Sequence, residues 1–218
     1  MKILAGILLM GSLLLRCLGE VVIPNEYWIE PNTNGLNSGT LGNPFWGYNQ
    51  ATFDTEMSNL VSHGNVVVHL LAGTYHTAGE FAYFVGPNTT ISGSSMDATI
   101  VQFALTNKTC QGVFLAPGND HVIVQDLTVD CNGSNNILSY GIALIGNFEA
   151  AKRVKVINAI GNASLGYESF PIGLGGGPPP YHDLVAEDCV VTNCLGNYGD
   201  AFAVSGGNSC ILNCRAYL

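Results

Sequence analysis

From about residue 112 to the C-terminus, short apolar runs recur roughly every thirty positions, separated by corners rich in Gly and Asn. The clearest copies are Val113-Phe114-Leu115, Ile142-Ala143-Leu144, Ile172-Gly173-Leu174 and Phe202-Ala203-Val204, whose first residues are spaced by 29, 30 and 30. Each is followed within a few residues by glycine, at Gly118, Gly146, Gly175 and Gly206. A second series, Val122-Ile123-Val124, Val154-Lys155-Val156 and Leu184-Val185-Ala186, keeps step with the first and runs into a polar corner at Asp126, Asn158 and Asp188. A period of this length marks a stacked array in which one repeat cannot bury its own apolar face. The strands are short and no helical pattern lies between them, which disfavours a βα solenoid. A propeller blade needs about forty residues and antiparallel hairpins. What remains is an all-β parallel β-helix, with inward Val, Ile and Leu stacking in columns.

Ahead of the repeats, Phe53, Met57, Leu60 and Val61 fall at i, i+4, i+7 and i+8, the stripe of an amphipathic helix. Asp54 and Glu56 are expected in its first turn, where the helix dipole favours acids, and His63-Gly64 stops it. Residues 20–51 are punctuated by Pro24, Pro31, Asn32, Asn34, Gly35, Asn37, Gly39, Gly42, Asn43 and Pro44. They read as an irregular N-terminal wrap whose Trp28 and Trp46 cover the open apolar end of the first coil. Residues 1–19 read as a secretory leader: Lys2, an apolar run from Ile3 to Leu15, then Cys17 and Gly19 before a cut at Glu20. That run is too short to span a bilayer.

With the repeated triplets, the Asn/Asp corners and the segment Val66-Val67-Val68-His69-Leu70-Leu71-Ala72-Gly73-Thr74-Tyr75, residues 52–218 resemble the right-handed parallel β-helix proteins of the pectin-lyase-like superfamily. The resemblance implies a right-handed solenoid with a short helix capping its N-terminal end. It does not choose an activity, because that superfamily hosts lyases, hydrolases, epimerases and non-catalytic adhesins.

Charge and cysteine content narrow the partners. The formal charge of −9 becomes about −11 once Lys2 and Arg16 leave with the leader, which excludes nucleic acid as a partner. An anionic polysaccharide would need calcium bridging carboxylates on both sides. After cleavage no membrane association is expected, and the protein is placed outside the cell, in a periplasm or at the cell surface. Six cysteines remain, Cys110, Cys131, Cys189, Cys194, Cys210 and Cys214, either as a buried column of thiols or with disulfides among them. Asn88, Asn107, Asn132 and Asn162 stand in glycosylation sequons. The repeat runs to Leu218 in mid-coil with no polar cap, so either further coils follow or copies pair end to end.

Carrying the repeat register across aligns His121, Arg153 and Asp183 at one outward position on three successive coils, each just before an apolar residue. Stacked about 4.8 Å apart, they would meet one sugar ring. Arg153 and Asp183 become the catalytic candidates, and His121 and Lys155 the substrate-binding ones. A uronate lyase needs a base for the proton α to the carboxylate and a cation to neutralise that carboxylate. Asp200, in Gly199-Asp200, resembles part of the Gly-Asp-Asp region of polygalacturonase-type hydrolases, with Ala201 in place of the second acid. In register it follows Tyr140 and Phe170, although Tyr140 has the parity of inward Ile142. Asp126, Asn158, Asp188 and Asn213 form an expected structural corner ladder. Gly175-Gly176-Gly177-Pro178-Pro179-Pro180 reads as a stiff loop. The function expected is polysaccharide binding or processing, of lyase or glycoside hydrolase type. The alternative is a non-catalytic adhesion or structural rod.

Overall fold

The computed structural model describes residues 25–32, 37–79, 85–133, 136–162, 170–176, 181–195 and 200–217. The leader, Gly199, Leu218 and Gly177-Pro178-Pro179-Pro180 lie outside the described residues. The chain is a parallel β-helix with three faces, as expected from its repeats.

Face one stacks β1 (Asn25–Glu30), β3 (Val66–Leu70), β5 (Thr89–Gly93), the first half of β8 (Val122–Asp130), the first half of β10 (Ala150–Ile157), β12 (Val185–Glu187) and β15 (Cys210–Leu212). Face two stacks β4 (Gly73–Thr77), β6 (Thr99–Phe103), the second halves of β8 and β10, β13 (Val190–Thr192) and β16 (Arg215–Tyr217). Face three is β7 (Thr109–Pro117), β9 (Ile137–Ile145), β11 (Ile172–Gly175) and β14 (Phe202–Ser205). All these pairings are parallel. Inward side chains stack coil on coil: Val68, Ile91, Val124, Ala151, Ala186 and Ile211 on face one. Tyr75, Val101, Val129, Val156, Val191 and Ala216 do so on face two. Each fully buried Val, Ile or Leu in such a column contributes about 1.5–3 kcal/mol.

The register corrects the repeat alignment at two places. On face three Ile142 pairs with Phe114 rather than Val113, giving offsets of 28, 30 and 30. On face one the true equivalents of Ile123-Val124 are Ala150-Ala151 and Val185-Ala186, so the coils measure 27, 35 and 25 residues. Val154 stacks on Leu127, one corner further along. The valine-rich Val154-Lys155-Val156 had masked two alanines that occupy the earlier position.

Helix α1 (Gln50–Val61) starts at Asn49, whose side chain accepts from the Thr52 amide at 3.0 Å. Phe53, Met57 and Val61 are buried, and Leu60 packs partly against them. Asp54 and Glu56 fall beyond the first turn. Asp54 instead accepts the Thr77 hydroxyl at 2.7 Å and the Ala78 amide at 2.9 Å, tying the helix to the end of β4. The segment 20–51 is more regular than expected. It contributes β1, in register with β3, and β2 (Phe45–Trp46), which pairs with β1. Trp28 lies on the outer side of face one, stacked on His69 with ring centroids 4.7 Å apart, rather than over the open end. No helix among the described residues is long and apolar enough to cross a membrane. Cys189, Cys194, Cys210 and Cys214 are free thiols. The Cys214 sulfur sits 3.4 Å from the Cys189 amide on the neighbouring coil.

Coil contacts leave no room beside some glycines. A Cβ on Gly146 would lie 1.9 Å from the Asn119 carbonyl oxygen, whereas one on Gly42 would meet nothing within 4 Å. Gly146→Ala is therefore expected to lower unfolding free energy by about 2 kcal/mol or more, and Gly42→Ala to stay within roughly 0.5 kcal/mol. Urea unfolding measures both.

Candidate functional site

The corners of this solenoid are made by single residues in the left-handed conformation. Among the described residues fifteen non-glycine positions have φ between 49° and 61°, and twelve are Asn or Asp. That preference is physical, because a short polar side chain can bond the local backbone and offset the steric cost of positive φ. The three exceptions are His121 (61°), Phe148 (57°) and Arg153 (49°). Each exception calls for a compensating interaction or for a role of the side chain outside folding.

The first corner, between faces three and one, stacks Asn65, Asn88, His121, Phe148, Asp183 and Asn208 in one column. Their amides form a ladder: His121 N donates to Asn147 O at 2.9 Å, Phe148 N to His182 O at 3.1 Å, and Asp183 N to Gly207 O at 2.8 Å. Three rings pack along it. His121 lies flat on Phe148 at 4.5 Å, and His182 meets Phe148 edge-on at 5.0 Å. Phe148 remains 44% exposed, so this aromatic surface faces solvent. His182 Nδ1 is 2.6 Å from Asp183 Oδ2. A neutral imidazole that donates Nδ1–H to this carboxylate presents Nε2 as its proton acceptor.

Beside this column runs a second polar ladder. Asp120 Oδ1 accepts the Asn147 amide at 2.8 Å and the Asn147 side chain at 3.1 Å, and Asn147 Oδ1 accepts the His182 amide at 3.2 Å. The Asn147 backbone bond, opposed by desolvation, holds the Asp120 carboxyl below its ordinary range, and the Asn147 side chain, His121 and His182 add to the effect. Beneath the corner Glu149 continues the inward column of Val122 and Leu184. It is 1% exposed, and neither carboxyl oxygen has a hydrogen-bond partner. Burial pushes its pKa up to about 9; the nearby Val122 amide opposes the rise, and the Asp120 charge adds to it.

The sequence-predicted residues thus separate into four places. His121 and Asp183 share the first corner column, two coils and roughly 9.6 Å apart, with Phe148 between them. Arg153 is not in that column. It stacks in the second corner, between faces one and two, with Asp126, Asp188 and Asn213. Five residues of strand, roughly 16 Å, separate it from the first corner, so one sugar ring does not meet both. Arg153 Nε lies 2.6 Å from Asp126 Oδ1 and its Nη2 2.8 Å from Oδ2, a two-pronged pair that accounts for its left-handed backbone. That hydrogen bond raises the guanidinium pKa, with Asp126, Glu187 and Asp188 charges adding to it. Asn158 leaves the expected ladder as well. It belongs to the third corner, bonding Asp130 and Asn193.

Lys155 sits on face two in the outward column Thr128, Lys155, Val190 and Arg215. Nearby an open groove of about 580 Å³ is lined by Met96, Asp188, Val190, Asn213, Cys214 and Arg215. Asp200 is exposed on face three, at the position Tyr140 and Phe170 occupy on the coils below. Tyr140 points outward despite its parity. Both Gly141 and Ile142 amides donate to the Pro171 carbonyl, a bulge that adds one residue, and the Tyr140 ring covers Gly173. No group of three or more His, Cys, Asp or Glu side chains among the described residues is placed to hold a metal ion, so the calcium expectation gains no cluster there.

No family model and no curated protein matches this chain. Among solved structures, the A-module of the mannuronan C-5 epimerase AlgE6 of Azotobacter vinelandii is similar, with a TM-score of 0.45 and 19% identity over 77% of this chain and 51% of that one. The AlgE4 A-module of the same organism gives 0.44 and 18%, over 83% of this chain and 58% of that one. The chain spans little more than half the length of either.

Glu149 makes stability pH-dependent in a definite direction. Its carboxyl ionises near the ordinary 4.5 in the unfolded chain and near 9 in the folded one. Its protonation favours folding fully below the unfolded value, and that advantage is lost as pH rises toward the folded value. Unfolding free energy is expected to carry a component that declines between those two pH values and to lose it in Glu149→Gln. Denaturant titrations at pH 5, 7 and 9 measure this.

Proposed function

We propose that this chain is an exported solenoid that acts on an extended acidic polysaccharide laid across face one, with proton transfer at the first corner. One observation carries the reading: Phe148, in a conformation that disfavours it, packs between His121 and His182, and His182 is oriented by Asp183 at 2.6 Å. A sugar ring packs against the exposed part of the Phe148 ring. His182 Nε2 then takes the proton α to a uronate carboxyl, and the C–H electron pair moves into that carboxyl group, whose added negative charge His121, in its protonated form, meets from the other side of Phe148. If the linked sugar's oxygen at C4 departs with its bonding pair and picks up a proton, the product carries a C4–C5 double bond. If a proton instead returns to the opposite face of C5, the configuration at C5 is inverted. Asp183 orients the imidazole and stabilises its charged form. Asp120, kept ionised, supports the same imidazolium across the corner.

Arg153, Lys152, Lys155 and Arg215 lie around the second corner and the adjoining faces, on a chain whose formal charge is −9. They hold the flanking uronates rather than the reacting one. Asp200 has no part in this step, because it stands on face three.

The test is turnover of oligomannuronate, oligoguluronate and oligogalacturonate, followed by ultraviolet absorbance of unsaturated ends, by reducing ends and by proton exchange at C5. His182→Gln and Asp183→Asn are each expected to lower kcat by about 10²–10⁴, while Arg153→Ala raises KM. Reducing ends without unsaturation would reassign the reaction to hydrolysis. No turnover of any of the three, or full activity in His182→Gln, overturns the proposal in favour of a non-catalytic rod.

A further inference from the structure

Glu149 lies directly beneath the first corner and takes no part in the proton transfer, and its environment is unusual for a carboxyl. It occupies an inward position between Val122 below and Leu184 above, both fully buried. Neither of its oxygens is bonded. The point where a Cβ of Gly146 would stand is 1.9 Å from the Asn119 carbonyl oxygen and 2.5 Å from Glu149 Oε1. Both oxygens border the space that glycine leaves open, and a proton on the carboxyl lets one donate to the other. Glycine at 146 is what makes the room.

Asn119 belongs to the turn that carries Asp120. That turn is fastened by the Asn119 side chain, which donates to Val85 O at 2.8 Å, and by Asp120 bonding Asn147. The Asn119 main-chain oxygen borders the same space beside Gly146 that Glu149 Oε1 borders. The titratable groups around Glu149 are Asp120 on this turn and, on the outward side of the same corner, His121, His182 and Asp183; the elements stacked directly on it present only Val122 and Leu184.

We propose that Glu149 is a positioning residue for the first corner: its neutral carboxyl donates a hydrogen bond to the Asn119 carbonyl and thereby sets the turn that aims Asp120 at the two imidazoles. This deepens the acid–base reading of the corner and rests on it. The raised carboxyl pKa agrees with it, since the group stays protonated through neutral pH. A group that merely filled space here would be leucine, like its neighbour at 184.

The test compares Glu149→Gln, which keeps a neutral donor, with Glu149→Leu, which fills the column without one. The titration of the Asp120 carboxyl is followed by nuclear magnetic resonance on the full chain. Loss of the Asn119 bond loosens the turn and the Asn147 bonds that hold this carboxyl low, so Glu149→Leu is expected to raise the Asp120 pKa toward its ordinary value, and Glu149→Gln to leave it at the wild-type value. Unchanged titrations in Glu149→Leu, or equal shifts in both variants, overturn the proposal. Should Glu149→Leu fail to fold, infrared spectra decide: the wild type at pH 7 shows a hydrogen-bonded protonated carboxyl band that Glu149→Gln removes, and absence of that band overturns the proposal. Neither readout needs turnover. An inactive protein with the expected titrations therefore counts against the polysaccharide reading alone.

Discussion

The structure depends on one repeated contact: the amide of a left-handed corner residue donating to the carbonyl one position earlier in the corner of the next coil. At the first corner this runs without a break from Asn65 through Asn88, His121, Phe148 and Asp183. The contact fixes the distance between coils at one strand spacing and lets the hydrogen-bonded ladders pass around the bend instead of ending there. With the corners stacked, the inward columns of Val, Ile and Leu follow, and so does the alternation that sends every second side chain to solvent. Asn and Asp fill most of these corners because they adopt positive φ at low cost.

That constraint is local to the corner, which explains why coil length varies so much. Face-one equivalents are 27, 35 and 25 residues apart in successive coils. The eight extra residues of the middle coil are taken up after β10 and after β11, leaving the corners undisturbed. A corner position can thus receive a side chain for chemistry so long as its amide still reaches the next coil. His121 and Phe148 use that freedom, and their rings, stacked at 4.5 Å, bring His182 and Asp183 into one exposed patch. Arg153 uses it differently, recovering the conformational cost through two bonds to Asp126.

How far this could be read beforehand depended on whether a face kept a constant repeat. Face three did: offsets of 28, 30 and 30 make its strands visible in the residues alone, and the helix stripe of Phe53, Met57 and Val61 was equally plain. Face one was misaligned, because Val154-Lys155-Val156 looks more like Val122-Ile123-Val124 than Ala150-Ala151 does. Composition outweighed register there, and the error moved Arg153 into the wrong column. His121, Arg153 and Asp183 share a left-handed backbone and an apolar successor, but they stand in two columns rather than the expected one. Phe148 escaped notice because it cannot titrate, and Glu149 because nothing in a sequence shows that an acid is turned inward. The outward aim of Tyr140 rests on a bulge that parity cannot anticipate.

The central claim is that the first corner, and not the second corner or face three, receives the acidic glycan. The direct measurement is residue-by-residue chemical-shift mapping on the full isotope-labelled chain as oligouronates are added. The account predicts perturbations centred on His121, Phe148, His182 and Asp183 and spreading across face one toward Arg153. Perturbations centred on Tyr140, Phe170 and Asp200, or none with any of the three uronate polymers, would contradict it.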